Sequence, residues 1–151
     1  NDSPLPPNAK FHNIAELKSI RGFEDSKYKL IEKYVSALPT HESTVNINTA
    51  SAFLLSTIDE RLDAVTIEQV LQQRSAKLEH FSNVTDLWAI EPFSQVSQEN
   101  RDLVNSQLGV KSNYFKAQIE VMLSDRKKQF TSDLVRQEKQ VYVAYRNMAP
   151  F

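Results

Sequence analysis

The spacing of apolar residues changes period once along this chain, and that change restricts the fold more than any other feature. Up to about residue 108, apolar residues recur at helical intervals. From Tyr114 the period falls to two, where Phe115, Ala117, Ile119, Val121 and Leu123 alternate with Lys116, Gln118 and Glu120. A period near 3.6 marks a helix with one buried face, and a period of two marks a half-buried strand. Helices followed by strands predict an α+β fold. The chain divides into an extended, Pro-rich lead-in (residues 1–11), a helical domain (12–108) and terminal strands (109–151).

Helix ends are marked by capping residues. Asn13 with Glu16 forms a capping box ahead of Ile14, Leu17 and Ile20, and Gly22 supplies a left-handed end. A second helix is expected from Asp25 to Ala37, with Leu30, Ile31, Tyr34, Val35 and Leu38 near one face and Pro39 ending it. Asn48 or Thr49 can cap a third, burying Phe53, Leu54 and Leu55. Thr66 can cap a fourth, with Ile67, Val70 and Leu71 inward. Ser82 or Asn83 opens a fifth around Val84, Leu87 and Trp88, and a sixth runs about Gln98 to Gln107.

The strands read as an antiparallel meander. Ser124-Asp-Arg-Lys127 is a polar turn, Gln129 to Gln137 a second strand, and Val141, Val143 and Tyr145 mark a third. Three strands are marginal alone, so the apolar face needs a cover.

Composition excludes several chemistries. The 151 residues contain no cysteine, which removes disulfides, zinc–thiolate sites and cysteine nucleophiles. Two glycines, Gly22 and Gly109, are too few for a phosphate-cradling loop or a dinucleotide fold. The net charge of −1 argues against a globally basic nucleic-acid binder. No apolar run reaches the roughly 20 residues that span a bilayer. The start carries no secretory signal pattern, as expected of a mature or trimmed chain.

No catalytic or cofactor-binding residue is assigned. His12, His41 and His80 do not form the paired spacing of a zinc helix. Asp59, Glu60 and Asp63 are the densest acidic cluster. They could bind calcium through oxygen ligands, but a solvated loop end paired with Arg61 is the simpler expectation. No metal ligand is assigned. Asn46, Asn48 and Thr49 are expected to serve turn and cap backbone, Arg74 a helix end, and Trp88 the core.

The informative segment is Val45 to Trp88. Val45-Asn-Ile-Asn-Thr-Ala50, a helix, and then Thr66-Ile-Glu-Gln-Val-Leu-Gln-Gln-Arg74 resemble helix-hairpin-helix arrangements. One similar family is that of ComEA-type DNA-uptake receptors, whose hairpin glycines hold a DNA phosphate through backbone N–H groups. Here the hairpin after Ile58 reads Asp59-Glu-Arg-Leu-Asp63, without glycine and with three acids. Residues 1–112 carry 11 Lys and Arg against 15 Asp and Glu, a balance of −4. Carboxylates beside a phosphate repel it, so nucleic acid is not expected as a partner.

A second family resembles more of the chain, from about residue 8 to the end. The order is a Pro-rich lead, Ile14-Ala-Glu-Leu-Lys-Ser-Ile-Arg-Gly22, a helix, Leu38-Pro39, Val45 to Ala50, and a helix ending in Arg74. Val110-Lys-Ser-Asn-Tyr-Phe115 and three strands follow, with Ser132 and Arg136 where that family often has a serine and an arginine. This resembles the C-terminal part of the minor pseudopilin K (GspK) family of the type II secretion system.

That resemblance implies a helix-hairpin-helix or SAM-like helical domain inserted in a pilin-like sheet, with a long N-terminal hydrophobic helix outside this chain. It also implies a non-enzymatic role at the tip of the periplasmic pseudopilus of a Gram-negative bacterium. There the protein would promote assembly with minor pseudopilins I and J and cap the fibre by bulk. The full-length protein would be anchored in the inner membrane. Calcium stays open as a cofactor, with no ligand positions assigned. The face of Phe115, Ile119 and Val121 is the expected contact for the pilin helix, unless the local helices cover it.

Overall fold

The computed structural model describes residues 11, 13–38, 43–124 and 126–149. The expected lead-in over residues 1–10 and the helix stop at Pro39 lie outside them. The chain forms two compact units, Asn1–Ser43 and Thr44–Phe151.

In the first unit, a 3-10 helix Ile14–Ser19 starts at the expected capping box. Asn13 Oδ1 accepts from Ala15 N at 2.8 Å, and Glu16 Oε1 accepts from Asn13 N at 3.0 Å. Gly22 adopts φ +98°, a conformation that costs glycine little because it has no Cβ. Helix α1 spans Asp25–Ile31, shorter than the expected Asp25 to Ala37. Tyr28 is its buried residue, while Leu30 is exposed, so the apolar stripe expected around Leu30 and Tyr34 is not the packed face. Lys18 lies 4.6 Å from the Tyr28 ring centre and pairs with Asp25 at 3.3 Å, joining the two helices.

The second unit opens with β1, Val45–Asn46, followed by α2, Ala52–Ser56, α3, Ala64–Ala76, and α4, Val84–Leu87. A 3-10 turn at Phe93–Gln95 leads to α5, Gln98–Asn105, and then to β2, Leu108–Gly109. Strand β2 pairs with β1 in parallel, Val45 with Leu108 and Asn46 with Gly109, a pairing the sequence reading did not anticipate. Close approach explains Gly109. A Cβ there would sit 2.5 Å from the Thr44 hydroxyl oxygen.

Several caps differ from expectation. Ser51, not Asn48 or Thr49, caps α2 by accepting from Leu54 N at 3.2 Å. Asp63, not Thr66, caps α3, and Thr66 N donates to its carboxylate at 2.8 Å. Ser and Asp accept from orphan N–H groups as well as Asn and Thr do, so composition alone does not single out the cap. Asn83 precedes α4 as expected, with Asp86 Oδ2 accepting from Asn83 N and Ser82 N.

Ile47, Leu55, Ile67, Leu87, Phe93 and Phe81 form one apolar core with Trp88, Val96 and Leu108. Each such side chain contributes roughly 1.5–3 kcal/mol when fully buried. Phe53, expected inward, is half exposed. Trp88 is buried as expected, and its indole N–H donates to Asn105 Oδ1 at 2.9 Å.

Strands β3, Tyr114–Leu123, β4, Arg126–Gln137, and β5, Gln140–Ala149, make the expected antiparallel meander, in the order β3-β4-β5. Arg126 and Lys127, expected in the turn, belong to β4. The second turn uses Glu138 at φ +53°. A register shift opposite Asp133 and Leu134 leaves Ala144 without a partner, since Leu134 pairs with Val143 and Asp133 with Tyr145. This bulge changes which side chains share a face.

Asn48 holds the second unit closed. Its Oδ1 accepts from Phe81 N at 2.7 Å, and its Nδ2 donates to Phe81 O at 3.1 Å and Val110 O at 3.3 Å. Replacing Asn48 by Ala strands a backbone N–H and two carbonyls, and should cost about 2–3 kcal/mol in urea denaturation. Asn48→Asp should cost no less, because a carboxylate cannot donate to either carbonyl.

Candidate functional site

Helices α2 and α3 and the turn between them make a helix-hairpin-helix. In a phosphate-binding hairpin the turn N–H groups point outward and free. Here two of them are engaged. Asp59 Oδ1 accepts from Arg61 N at 3.0 Å, and Asp59 O accepts from Leu62 N at 3.0 Å.

The Asp59 side chain is buried, contrary to the solvated loop end expected for the acidic cluster. The expected pairing with Arg61 is present. Arg61 Nε and Nη2 each donate at 2.8 Å, one to each carboxylate oxygen, and Asn100 Nδ2 adds a third bond at 2.8 Å. Hydrogen bonds from the Arg61 side chain, its backbone N–H and Asn100 hold the carboxyl far below the usual carboxylate range. Asn100, on α5, is the partner that sequence spacing could not supply, 41 positions away. Asp63 turns to the α3 terminus, and bonds from Thr66 lower its pKa too. The cluster members thus serve separate tasks, and among the described residues no group of three His, Cys, Asp or Glu gathers at metal-binding distance.

A wide, open groove of about 900 Å³ lies beside this element, lined by Asn48, Thr49, Glu68, Gln72, Arg74 and Phe81 among others. It brings together three of the residues singled out in the sequence, Asn48, Thr49 and Arg74. Each is occupied structurally. Thr49 Oγ1 donates to Asn46 O. The Arg74 guanidinium stacks 4.1 Å from the Phe81 ring centre and lies 3.7 Å from Glu79. Arg74 sits in the last turn of α3, the helix end expected of it, and the stacking adds a second role. Gln72 donates to Glu68 at 2.9 Å, one turn away. Asn46 joins Ser112 through Nδ2 at 2.9 Å and receives Asn48 N at 3.0 Å, the turn-backbone role expected of it. His80 lines the groove, and His12 and His41 lie outside the described residues.

The other candidate is the β3–β5 sheet. By register, one face carries Phe115, Ala117, Ile119, Val121 and Leu123 from β3, Phe130, Ser132 and Leu134 from β4, and Val141 and Val143 from β5. Phe115 is 41%, Ile119 47% and Leu123 75% exposed, so the face is uncovered. The bulge turns Tyr145 off this face and brings Arg146 onto it. Val141, Val143 and Tyr145 mark this strand as expected, but the bulge at Ala144 puts Tyr145 on the opposite face from the two valines. Arg146 Nε donates to Ser132 Oγ at 3.1 Å, and Ser132 is almost fully buried on the central strand. The pair was invisible to simple alternation, because a one-residue bulge reverses the parity of all that follows. The expected face of Phe115, Ile119 and Val121 is intact.

Residues 45–111 match the family model of type II secretion system protein K. The chain is 28% identical over 147 residues to type II secretion system protein K of Dickeya chrysanthemi, covering 93% of this chain and 39% of that protein. It is 29% identical over 131 residues to protein K of Pectobacterium carotovorum subsp. carotovorum, covering 81% of this chain and 38% of that protein. The chain thus spans about two fifths of each relative's length. Its fold matches a chain of the crystallised GspK-GspI-GspJ complex from the enterotoxigenic Escherichia coli type 2 secretion system. The TM-score is 0.78 at 21% identity, over 100% of this chain and 53% of the other.

The Asp59 network sets an acid limit on stability. A carboxyl whose folded pKa lies below its ordinary 3.8 stabilises fully above that value. The contribution fades as the pH falls through the lower folded value. Asp59→Asn should be clearly less stable near neutrality. Between about pH 6 and about pH 2 its deficit against the wild type should narrow, as read by thermal melts at each pH.

Proposed function

For a chain that belongs to the protein K family of type II secretion systems, we propose a structural rather than catalytic role. It is the C-terminal part of a minor pseudopilin that acts at the tip of the periplasmic pseudopilus in a Gram-negative bacterium. There it promotes assembly and stops further growth. Its partners are minor pseudopilins I and J, and its parent protein is anchored in the inner membrane.

The observation that carries this reading is the full-length fold match to a chain of a complex named for GspK, GspI and GspJ. Two features of the molecule agree with it. The Asn48-clamped helical segment adds folded bulk to a pilin-type sheet, which would leave a further subunit no place to stack. One face of the sheet is apolar and uncovered, as a sheet that packs against a pilin helix requires. Asp59 and Asp63, the buried and capping acids of the hairpin, are bound to protein groups.

Co-expression of the parent protein with minor pseudopilins I and J of the same system should give a stable complex in size-exclusion chromatography. Recovery of each protein alone would overturn the reading. A fluorescence titration of this chain with duplex DNA at two salt concentrations should detect no steep salt-dependent binding. Micromolar binding that collapses with salt would favour the DNA-uptake type of module instead.

A further inference from the structure

The uncovered face of the sheet is uniform in charge. Besides its apolar residues it carries Arg126 and Lys128 near the β3–β4 turn, Arg146 beside Ser132 at mid-length, and Arg136 at the far end. Among the described residues it carries no carboxylate. The acids of these strands, Glu120 and Asp133, fall on the opposite face, where Glu120 pairs with Lys127 at 2.5 Å. Arg136 lies 5.7 Å from the Phe115 ring centre and stays at the rim. Arg146 differs, because it stands at mid-length opposite Ser132, with Val143 and Leu134 on the same face and Ala117 beyond Ser132 on β3. Among the described residues, the acceptor given to it is Ser132 Oγ, which takes its Nε–H.

An apolar cover would strip water from that guanidinium. A buried, unpaired charge is costly, whereas a charge paired with a carboxylate is tolerated and directional. The dimensions favour one kind of cover. Strands β3 and β5 each have 10 residues, giving a length of about 33 Å at roughly 3.3 Å per residue. Three strands place the outer two about 10 Å apart, close to the diameter of a single helix. At about 1.5 Å per residue, a helix of about 20 residues spans the face from end to end.

We propose that this face seats one amphipathic α-helix whose sheet-facing side carries a carboxylate, and that Arg146, oriented by Ser132, is the residue that recognises it. This rests on the reading above in one respect, that a helix covers the sheet, and it adds the acid that the helix must carry. Arg126 and Arg136 attract acidic flanks at either end. Arg146 sets the register by accepting only a helix whose acid falls at mid-length.

The test uses this 151-residue chain and two synthetic helical peptides of about 20 residues, each with a Leu/Ala face. They differ only in Glu or Gln at the central apolar-face position. Calorimetry at low salt should find the Glu peptide binding about tenfold more tightly than the Gln peptide. Arg146→Gln should remove that difference, while Arg136→Gln should preserve it, with both variants checked for unchanged thermal melts. Should Arg146→Gln fail to fold, Ser132→Ala provides the second variant and should shrink the difference. Equal affinity of the wild type for both peptides would overturn the acid requirement while leaving a helix cover intact. Binding of neither peptide would overturn the whole proposal. So would co-sedimentation with phosphatidylglycerol vesicles or self-association through this face, if either is abolished by Ile119→Glu while the peptides fail to bind. None of these outcomes bears on complex formation with pseudopilins I and J, which is read separately.

Discussion

One asparagine side chain governs how the second unit closes. Asn48 binds backbone groups 33 and 62 positions away, and so ties the entry to α2 to the approach to α4 and to the segment after β2. Beside it, Ile47 N donates to Gly109 O and Val45 N to Gln107 O, which sets the short parallel pair. Short helices bury little surface each, and an eight-residue helix such as α5 is marginal without tertiary support. Fixing three distant strands of chain at one point lets these pieces share a core centred on Ile47, Leu55, Ile67 and Phe93.

The hairpin illustrates how a scaffold can be kept while its usual chemistry is lost. Asp59 uses the N–H of Arg61 as an internal donor, and the guanidinium that might have met a phosphate neutralises Asp59 instead. The network extends to Asn100, so the hairpin is bound to α5. Bonds that would have been available to a ligand contribute to rigidity.

The sheet has the opposite character. Its large apolar side chains are exposed, and its buried polar group, Ser132, supports a cation. A face of this kind is costly in water and gains from being covered. The helices share a buried core, while Phe115, Ile119, Val121 and Val143 of the sheet stand exposed.

The sequence alone decided what local physics decides. Period determined helices before strands and the β3 alternation, and Asn13 with Glu16 the first cap. The order of motifs from Val45 to Phe115 was also enough to suggest the family. Only the tertiary structure decided the rest, because those features join residues far apart or hinge on one residue of register. Asp59 with Asn100 and Asn48 with Val110 are invisible to spacing. The length of α1 depends on Tyr28 packing rather than on the stripe that follows it. The Glu138 turn lacks the Asn-Gly or Asp-Gly signal, so its hairpin had to be inferred from the strands. The bulge at Ala144 reversed the last strand's parity and put Arg146, not Tyr145, on the apolar face. A period of two carries information only while the register is unbroken, and whether it breaks is set by pairing with the neighbouring strand.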